Sequence, residues 1–293
     1  MHAWIMASRP ATLPASVAPV VVGTAMAEYR GVLEVLPAAV ALVTALLIQI
    51  ATNLANDYFD YRKGADTEHR VGPVRVVQAG LLPPRAVLRG TVLTLGLAVV
   101  AGSYLVWAGG IPILLIGLLA LTCAVAYSAG PFPISHHGLG DLFVLLFFGL
   151  VAVAGTYWVQ AGAFEPDLLL AGLGVGTLTT AILVVNNLRD IGTDRRAGKR
   201  TLAVRLGERA TRAEFVGLVA VAALVPPVGV GLFGWPPWTV LALLGLGPAL
   251  RAMETVFRYG EPAELNPALG EVARAVSWYA ALLALGFVLG RVL

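Results

Sequence analysis

About nine stretches of mostly apolar residues follow one another along the chain, and this feature limits the fold more than any other. Each is about 20 residues long, the length that a helix needs to cross the hydrocarbon layer of a bilayer. The stretches lie near 10–29, 33–55, 88–108, 110–128, 139–161, 168–188, 212–233, 236–256 and 272–292. The pattern predicts an all-α, polytopic membrane protein with about nine transmembrane helices.

Composition excludes a soluble globular fold. Charged residues make up only 13% of the chain, whereas soluble domains carry about 25%. No polar run exceeds roughly the length of one loop, so we expect a single transmembrane domain over residues 1–293. Its expected surroundings are a lipid bilayer, with no nucleic acid as partner. The single cysteine, Cys123, excludes an internal disulfide and a cysteine-based metal cluster.

The basic residues are concentrated in two segments. Six Lys or Arg lie in 56–89 and eight lie in 189–212, together 14 of the 20 in the chain. With the N-terminus inside and nine spans, both segments fall on the cytoplasmic side, in agreement with the positive-inside rule. The sequence therefore predicts a multi-pass protein of the cell (inner) membrane, with its N-terminus and both basic segments in the cytoplasm.

Two aspartate-rich segments stand at the ends of the second and sixth predicted helices. Asp57 and Asp60 are three residues apart, with Asp66 following, and Asp190 and Asp194 are four apart. Each pair shares one face if its helix continues that far. Carboxylates near a bilayer are expensive and are usually functional, and Mg²⁺ takes one or two carboxylates together with phosphate oxygens. The two segments predict a site for Mg²⁺ and a diphosphate; the alternative is that these aspartates only pair with neighbouring Arg in solvated loops.

Basic residues flank both aspartate segments and complete the predicted diphosphate site. Lys63 and Arg70 follow the first segment, and Lys199 and Arg200 follow the second. Cationic side chains neutralise the charge that grows on a departing diphosphate. The positive-inside bias alone explains most of the other basic residues, so these four are the candidates for substrate binding.

Other polar residues near the predicted helix ends have two interpretations each. Asn53 and Asn56 must be hydrogen-bonded where they are buried, and for Asn53 a helix–helix hydrogen bond is an equal alternative to a site role. Tyr127 is able to stack on an aromatic ring, although aromatic belts at membrane interfaces are the ordinary explanation. Asp141 at the start of the fifth helix is interpreted first as a cap or dipole partner. His136 is interpreted as a loop residue because no third ligand has zinc-like spacing.

These motifs resemble those of the intramembrane aromatic prenyltransferases of the UbiA superfamily. The resemblance rests on the patterns Asn56-Asp57-x-x-Asp60, with the later Asp66, and Asp190-x-x-x-Asp194. The strings at 9–14, 53–80, 138–149 and 186–207 are similar to the menaquinone-pathway branch of that superfamily. The similarity runs from about residue 4 to the end of the chain.

The resemblance implies helices around a central cavity that is capped by two Asp-rich loops, with Mg²⁺ and a polyprenyl diphosphate bound there. Arg9 and Asn53 match positions associated in the family with the aromatic acceptor. The implied acceptor is 1,4-dihydroxy-2-naphthoate, whose carboxylate the prenyl group replaces, releasing CO₂ and diphosphate and giving demethylmenaquinol. The family's metal-associated positions correspond to Asn56, Asp57, Asp60, Asp66, Asp190 and Asp194.

Two alternative functions remain open at the level of the sequence. A related prenyltransferase with another acceptor, such as 4-hydroxybenzoate, would carry the same aspartates. A transporter would place ion-carrying acids at broken helices near the middle of the membrane. The aspartates here follow the ends of apolar stretches on one predicted face, which disfavours the transporter.

Overall fold

A computed structural model describes residues 2–64, 71–130 and 132–293, and within these residues the chain is helical with no strand. The all-α prediction is confirmed. Asp66 and Arg70 lie outside the described residues. The helices are α1 His2–Ser8, α2 Pro14–Tyr29, α3 Val35–Arg62, α4 Pro84–Ala126, α5 Gly140–Leu145, α6 Ala152–Ala161, α7 Asp167–Arg196, α8 Leu202–Leu206, α9 Glu208–Phe233, α10 Gly247–Arg258 and α11 Leu265–Val292.

Short segments of other helix types extend or join these elements. Leu146–Val151 is a π-helical turn that makes α5 and α6 one continuous rod, and Pro237–Leu246 is a 3₁₀ segment that leads into α10. Three shorter 3₁₀ turns are Pro10–Thr12, Ile134–His136 and Pro262–Glu264. Proline begins several of these elements because its fixed φ suits a helix start and its missing N–H would have had no partner there.

Seven helical units among the described residues are long and apolar enough to cross a membrane, or eight if the bent pair His2–Thr12 and Pro14–Tyr29 counts as one span. The protein is therefore a multi-pass membrane protein. The two parts of the bent pair meet at 53°. Pro14 stands at this bend and begins α2.

Helix α4 is two spans rather than one. Its 43 residues would measure about 64 Å as a straight helix, which is about twice the roughly 30 Å of a hydrocarbon layer. The backbone leaves helical geometry at Gly110, with φ 69° and ψ −155°, a conformation open to glycine. Both ends of α4 lie near the end of α3, because Gly90 packs against Leu54 and the carbonyl of Ser128 accepts a hydrogen bond from Lys63. The predicted count of nine spans is reached when the bent pair counts as one span and the break at Gly110 divides α4 into two spans.

Helix α7 forms the centre of the bundle. In the most apolar 18-residue stretch of α7, 72% of the residues are buried inside the protein. The corresponding fraction for α4 is 11%, so α4 faces lipid. Glycines permit the closest crossing on α7: a Cβ on Gly149 would lie 2.5 Å from the carbonyl oxygen of Gly172 and 2.7 Å from the Cα of Gly176. Small residues at such crossings let helices approach closely in lipid.

The two aspartate segments lie in helices and not in separate loops. Asp57 and Asp60 belong to the last turns of α3, and Asp190 and Asp194 belong to the last turns of α7. The expected boundaries near 55 and 188 were too early because both helices continue past their apolar stretches to Arg62 and Arg196. We call this end of the bundle the polar end.

An ion-pair cluster closes the opposite end. Asp167 is buried and accepts hydrogen bonds from Arg30 at 2.7 and 2.8 Å and from the indole Nε1 of Trp235 at 2.7 Å. Buried charges are stable only when they are paired in this way. Near the C-terminus, Arg291 pairs with Glu28 at 3.0 Å. Helix α11 thus ends at the face opposite the polar end.

Candidate active site

A cavity of about 1120 Å³ lies inside the bundle, between α2, α3, α4, the α5–α6 rod and α7. Its deep part is lined by apolar side chains, and its polar part lies at the polar end. Val99, Leu114 and Leu118 line the cavity and are also 53%, 42% and 55% exposed on the lipid-facing side of α4. The α4 side of the cavity therefore faces the bilayer.

The last turns of α3 divide the first aspartate segment between two surroundings. Asn56 and Asp60 are four residues apart, so they share one face, and both line the cavity. Asp57 is turned by about 100° from Asn56. Its two carboxylate oxygens accept the backbone N–H groups of Val76 and Val77, each at 3.1 Å. Asp57 thus ties the loop that follows α3 to the helix.

Asp60 is a buried carboxylate surrounded by three basic side chains. Its Oδ2 lies 3.5 Å from the guanidinium of Arg75 and 3.6 Å from Nζ of Lys199, and its Oδ1 lies 3.9 Å from Nε2 of His136. These side chains come from three different loops. Within the described residues Oδ1 has no hydrogen-bond partner. The carboxylate is therefore charge-compensated while one buried oxygen is left available to a ligand.

The loop after α4 is fixed to the end of α3. Ser128 donates a hydrogen bond from Oγ to the amide oxygen of Asn56 at 2.5 Å, and Nζ of Lys63 donates to the carbonyls of Ser128 and Gly130 at 2.7 and 3.2 Å. Partial burial and the like charge of Lys199 lower the pKa of Lys63, while the Asp60 carboxylate opposes both. Lys63 therefore acts on the loop rather than inside the cavity.

The second aspartate segment is supported by an arginine of its own helix. Arg189 is fully buried and binds both carboxylate oxygens of Asp190, at 2.8 and 2.7 Å. The same guanidinium donates to the amide oxygens of Asn186, at 2.8 Å, and Asn266, at 2.9 Å. Asn266 in turn donates to the carbonyl of Val71 at 3.1 Å. A bidentate Arg fixes the plane of a carboxylate, so Asp190 is held in one orientation.

The basic residues after α7 go to different places. Lys199 lines the cavity beside Asp60, and its backbone N–H bonds the carbonyl of Asp194, which also lines the cavity. Arg200 is exposed, and with Lys63 it lines a separate small pocket at the surface. The remaining lining of that pocket includes His136, His137 and Arg205.

The N-terminal segment forms one edge of the polar end. Asn53 donates hydrogen bonds to the carbonyl of Ser8 and the hydroxyl of Thr12, both at 2.9 Å, and Gln49 also donates to Thr12 at 3.1 Å. Arg9 adopts a left-handed conformation with φ 50° between these anchors, and it lines the cavity. The helix-to-segment hydrogen bond of Asn53 matches its structural interpretation, and its place in the cavity wall keeps the acceptor interpretation open.

Tyr127 stands among the acids of the polar end. Burial raises the pKa of its hydroxyl, and the charges of Asp141, Asp60 and Asp194 raise it further, while Arg9 opposes them. Tyr127 also lines the cavity. It is therefore a neutral hydroxyl placed between Asp141 and the two aspartate segments.

Eight of the predicted site residues meet at one cavity. They are Arg9, Asn53, Asn56, Asp60, Tyr127, Asp190, Asp194 and Lys199. Asp57 holds a loop, and Lys63 and Arg200 line the small surface pocket. In the part of the chain that the structure describes, no three His, Cys, Asp or Glu side chains are grouped closely enough to hold a metal by themselves.

Sequence reasoning missed four residues that support the site. Arg75 and Arg189 looked like ordinary cytoplasmic positive charges, His136 like a loop residue, and Asn266 carried no signal at all. For Arg189 the only signal in the sequence was its position directly beside Asp190; its full burial, which requires a partner, is seen only in the structure.

Comparison with known proteins identifies the family. Residues 16–269 match the model of the UbiA prenyltransferase family. The 1,4-dihydroxy-2-naphthoate octaprenyltransferase of Escherichia coli (strain K12) is 38% identical over 297 residues, which cover 99% of this chain and 96% of that protein. The chain therefore belongs to the UbiA prenyltransferase family.

Solved structures give the same fold. A UbiA homolog from Aeropyrum pernix K1 superimposes with a TM-score of 0.69 at 16% identity, covering 96% of each chain. A UbiA homolog from Archaeoglobus fulgidus bound to DMAPP and Mg²⁺ gives a TM-score of 0.65 at 15% identity, covering 96% of this chain and 98% of the other. The helical bundle is a UbiA-type fold.

Proposed function

We propose that this protein transfers a polyprenyl group from polyprenyl diphosphate to 1,4-dihydroxy-2-naphthoate, releasing CO₂ and diphosphate and giving demethylmenaquinol. The observation that carries the proposal is the cavity itself, in which carboxylates and basic side chains meet at one end and an apolar space lies against the lipid-facing helix α4. The full-length similarity to the Escherichia coli octaprenyltransferase supports the choice of acceptor.

The polar end fits Mg²⁺ in its donor chemistry. Asn56, Asp60, Asp190 and Asp194 each carry an amide or carboxylate oxygen, the ligand atom that this cation prefers, and each lines the same cavity. One carboxylate oxygen of Asp60 is buried without a hydrogen-bond partner among the described residues. Too few acids meet to replace the water shell of the ion, so substrate phosphate oxygens have to complete it. When bound, the ion neutralises negative charge on the diphosphate leaving group.

The chain's own residues bind, orient and shield the reactants. Lys199 beside Asp60, together with Arg9 in the same cavity wall, attracts the diphosphate to the polar end. Arg189 keeps Asp190 in one orientation for repeated turnovers. The apolar lining excludes water from an allylic cation that would otherwise be hydrolysed. An opening on the α4 side would let a long prenyl chain extend into the bilayer while its diphosphate stays at the polar end.

The orientation in the membrane is also part of the proposal. The positive-inside rule places the polar end in the cytoplasm, where both basic segments lie. A water-soluble acceptor and the released diphosphate would then exchange with the cytoplasm, while the prenylated product leaves sideways into the bilayer.

Purified protein in detergent, given a polyprenyl diphosphate and 1,4-dihydroxy-2-naphthoate, tests the proposal. We expect prenylated naphthoquinol and CO₂ in the presence of Mg²⁺, and loss of both when the metal is removed with EDTA and recovery when it is restored. Product with 4-hydroxybenzoate but none with the naphthoate would retain the reaction class and reject the acceptor. Uptake of substrate into sealed vesicles without any product would instead favour a transporter.

A further inference from the structure

Asp141 is a buried acid of the cavity wall. It lies in the first turn of α5, is 7% exposed and lines the cavity. Among the residues that the structure describes, none donates a hydrogen bond to either of its carboxylate oxygens. Burying a carboxylate without a partner carries a large desolvation penalty. A position that keeps such a group in a membrane protein is a candidate for a functional role.

The interpretation of Asp141 as a helix cap does not apply, because among the described residues no side chain caps the start of α5. Asp141 does lie in the first turn, where the helix dipole favours a carboxylate. The dipole explains an acid at the helix start, but it does not explain two buried oxygens that line the cavity without a donor. The other buried aspartates all have partners: Asp57 has two backbone N–H groups, Asp60 has basic side chains, and Asp167 and Asp190 have arginines. Asp141 differs from all of them because its oxygens face the cavity without such a partner.

Asp141 lies at the same end of the cavity as the diphosphate site. The position that a Cβ would take on the preceding Gly140 is 3.3 Å from the Tyr127 hydroxyl. The charges of Asp141, Asp60 and Asp194 all reach that hydroxyl. An aromatic ring that meets the reacting carbon of the prenyl diphosphate must sit in this region, because that carbon is attached to the diphosphate.

We propose that Asp141 is a catalytic residue that takes a proton from a ring hydroxyl of the aromatic acceptor and later returns it. The inference rests on the proposed function and specifies how the acceptor is activated there. The hydroxyl concerned is the one next to the ring carbon that bears the carboxylate, because only this hydroxyl feeds electrons directly into that carbon.

The proton and the electron pairs balance through the reaction. The O–H bond breaks and its proton goes to Asp141, while the ring carbon forms a bond to the prenyl group and the prenyl C–O bond breaks toward the diphosphate. The ring then carries a ketone next to the carbon that bears the carboxylate, which is a β-keto acid. Its C–CO₂ bond breaks, the electron pair moves to the ketone oxygen, and Asp141 returns the proton to that oxygen.

Two titratable groups from neighbouring elements face Asp141. Tyr127 follows α4, and Glu214 on α9 is close enough for the two acid charges to repel each other. No basic side chain in the described residues forms an ion pair with Asp141, so its carboxylate is free of the kind of fixed partner that Arg189 gives Asp190. A group that must both accept and return a proton needs this freedom.

The test compares D141N and D141E with the wild type in the complete detergent-purified enzyme. Asn preserves the volume but cannot accept the proton, so we expect kcat to fall roughly 100-fold, within the range of general base catalysis. The KM for prenyl diphosphate should stay unchanged. Because the allylic cation then meets a less reactive ring, the ratio of free polyprenol to prenylated ring should rise. D141E should recover part of kcat and of the ratio.

The matched control is E208Q, which alters an exposed acid in the first turn of α9 that pairs with Arg212. It should behave as the wild type. Unchanged kcat and polyprenol ratio in D141N would overturn the inference, and so would equal loss of prenyl diphosphate binding in D141N and D141E. If the wild type prenylates only another phenol, the proposed acceptor fails and Asp141 is judged with that phenol. A wild type that prenylates no acceptor overturns both.

Discussion

The two aspartate segments have similar spacing in the sequence but different support in the structure. In the first, Asp60 is surrounded by basic side chains from three loops at 3.5–3.9 Å, and Asp57 holds a loop in place. In the second, Asp190 is bound at 2.7–2.8 Å by one buried arginine of the same helix. Helix α7 is also the most buried of the spans. The second segment thus belongs to the buried centre of the bundle, whereas the orientation of the first segment depends on contacts from the surrounding loops.

The largest expected effect tests whether both segments are needed at all. Asp60→Asn and Asp190→Asn should each lower kcat/KM by more than about 100-fold, since even the outer partners of a metal site are worth 10–100-fold. Both should also raise the Mg²⁺ concentration needed for half-maximal rate. Glu254→Gln, in an exposed pair with Arg258, is the control. Full activity in either aspartate variant would remove that segment from the site.

The second prediction concerns the support of each carboxylate. Arg189→Gln leaves Asp190 buried without its partner and should destabilise the protein by about 3–5 kcal/mol. Arg189→Lys should retain only part of the stability that Arg189→Gln loses, because an ammonium cannot bind both carboxylate oxygens as a guanidinium does. Lys199→Gln is the matched comparison. It should destabilise the protein clearly less than Arg189→Gln, because Asp60 keeps Arg75 and His136 as neighbours. Thermal unfolding in detergent measures the difference.

Equal destabilisation by Arg189→Gln and Lys199→Gln would contradict the contrast between a single tight partner and three loose ones. The activity of Lys199→Gln is not the readout here, because the same lysine is assigned to diphosphate binding.

Most of the fold could be predicted from the sequence, and the reasons are physical. A stretch of about 20 apolar residues in a chain this poor in charge has no stable place except a membrane helix. The ends of α3 and α7 were predicted too early, because hydropathy ends where polar residues begin. Both helices continue because Asp57, Asp60 and Arg189 find partners in other parts of the chain.

The site could be predicted only in part. The spacing predicted correctly that Asp57 and Asp60 lie on nearly one face. Whether Asp57 lines the cavity or binds the following loop depends on the backbone N–H groups of Val76 and Val77, which belong to no motif. The role of Arg189 was hidden because a basic residue at this end agrees with the positive-inside rule whether it is exposed or buried. Pairings between residues far apart in the chain, such as Asn266 with Val71, leave no local pattern.

The third prediction separates the two aspartates of the first segment. Asp57→Asn keeps one acceptor oxygen for two backbone N–H groups, so it should destabilise the protein by about 1–3 kcal/mol. Hydrogen exchange should increase in 71–82, and the loss of kcat/KM should be smaller than in Asp60→Asn. An equally large loss of activity with unchanged exchange would instead give Asp57 a direct role in the site.

The smallest expected effect asks whether the two segments are independent. The loop that starts at Val71 is held by Asp57 from α3 and by Asn266 from α11, and Asn266 also bonds Arg189. Residues that share a partner in this way show coupling, whereas the effects of distant substitutions are additive.

Asn266→Ala should destabilise the protein by about 1 kcal/mol per lost hydrogen bond, and a double-mutant cycle with Asp57→Asn should show coupling of about 0.5–1 kcal/mol. The cycle of Asp57→Asn with Trp158→Phe, which removes a hydrogen bond to the carbonyl of Gly109 at the far turn of α4, is the control and should be additive. Additivity in both cycles would mean that the second aspartate segment, through Arg189 and Asn266, does not support the loop that Asp57 holds. The two aspartate segments would then be assembled independently.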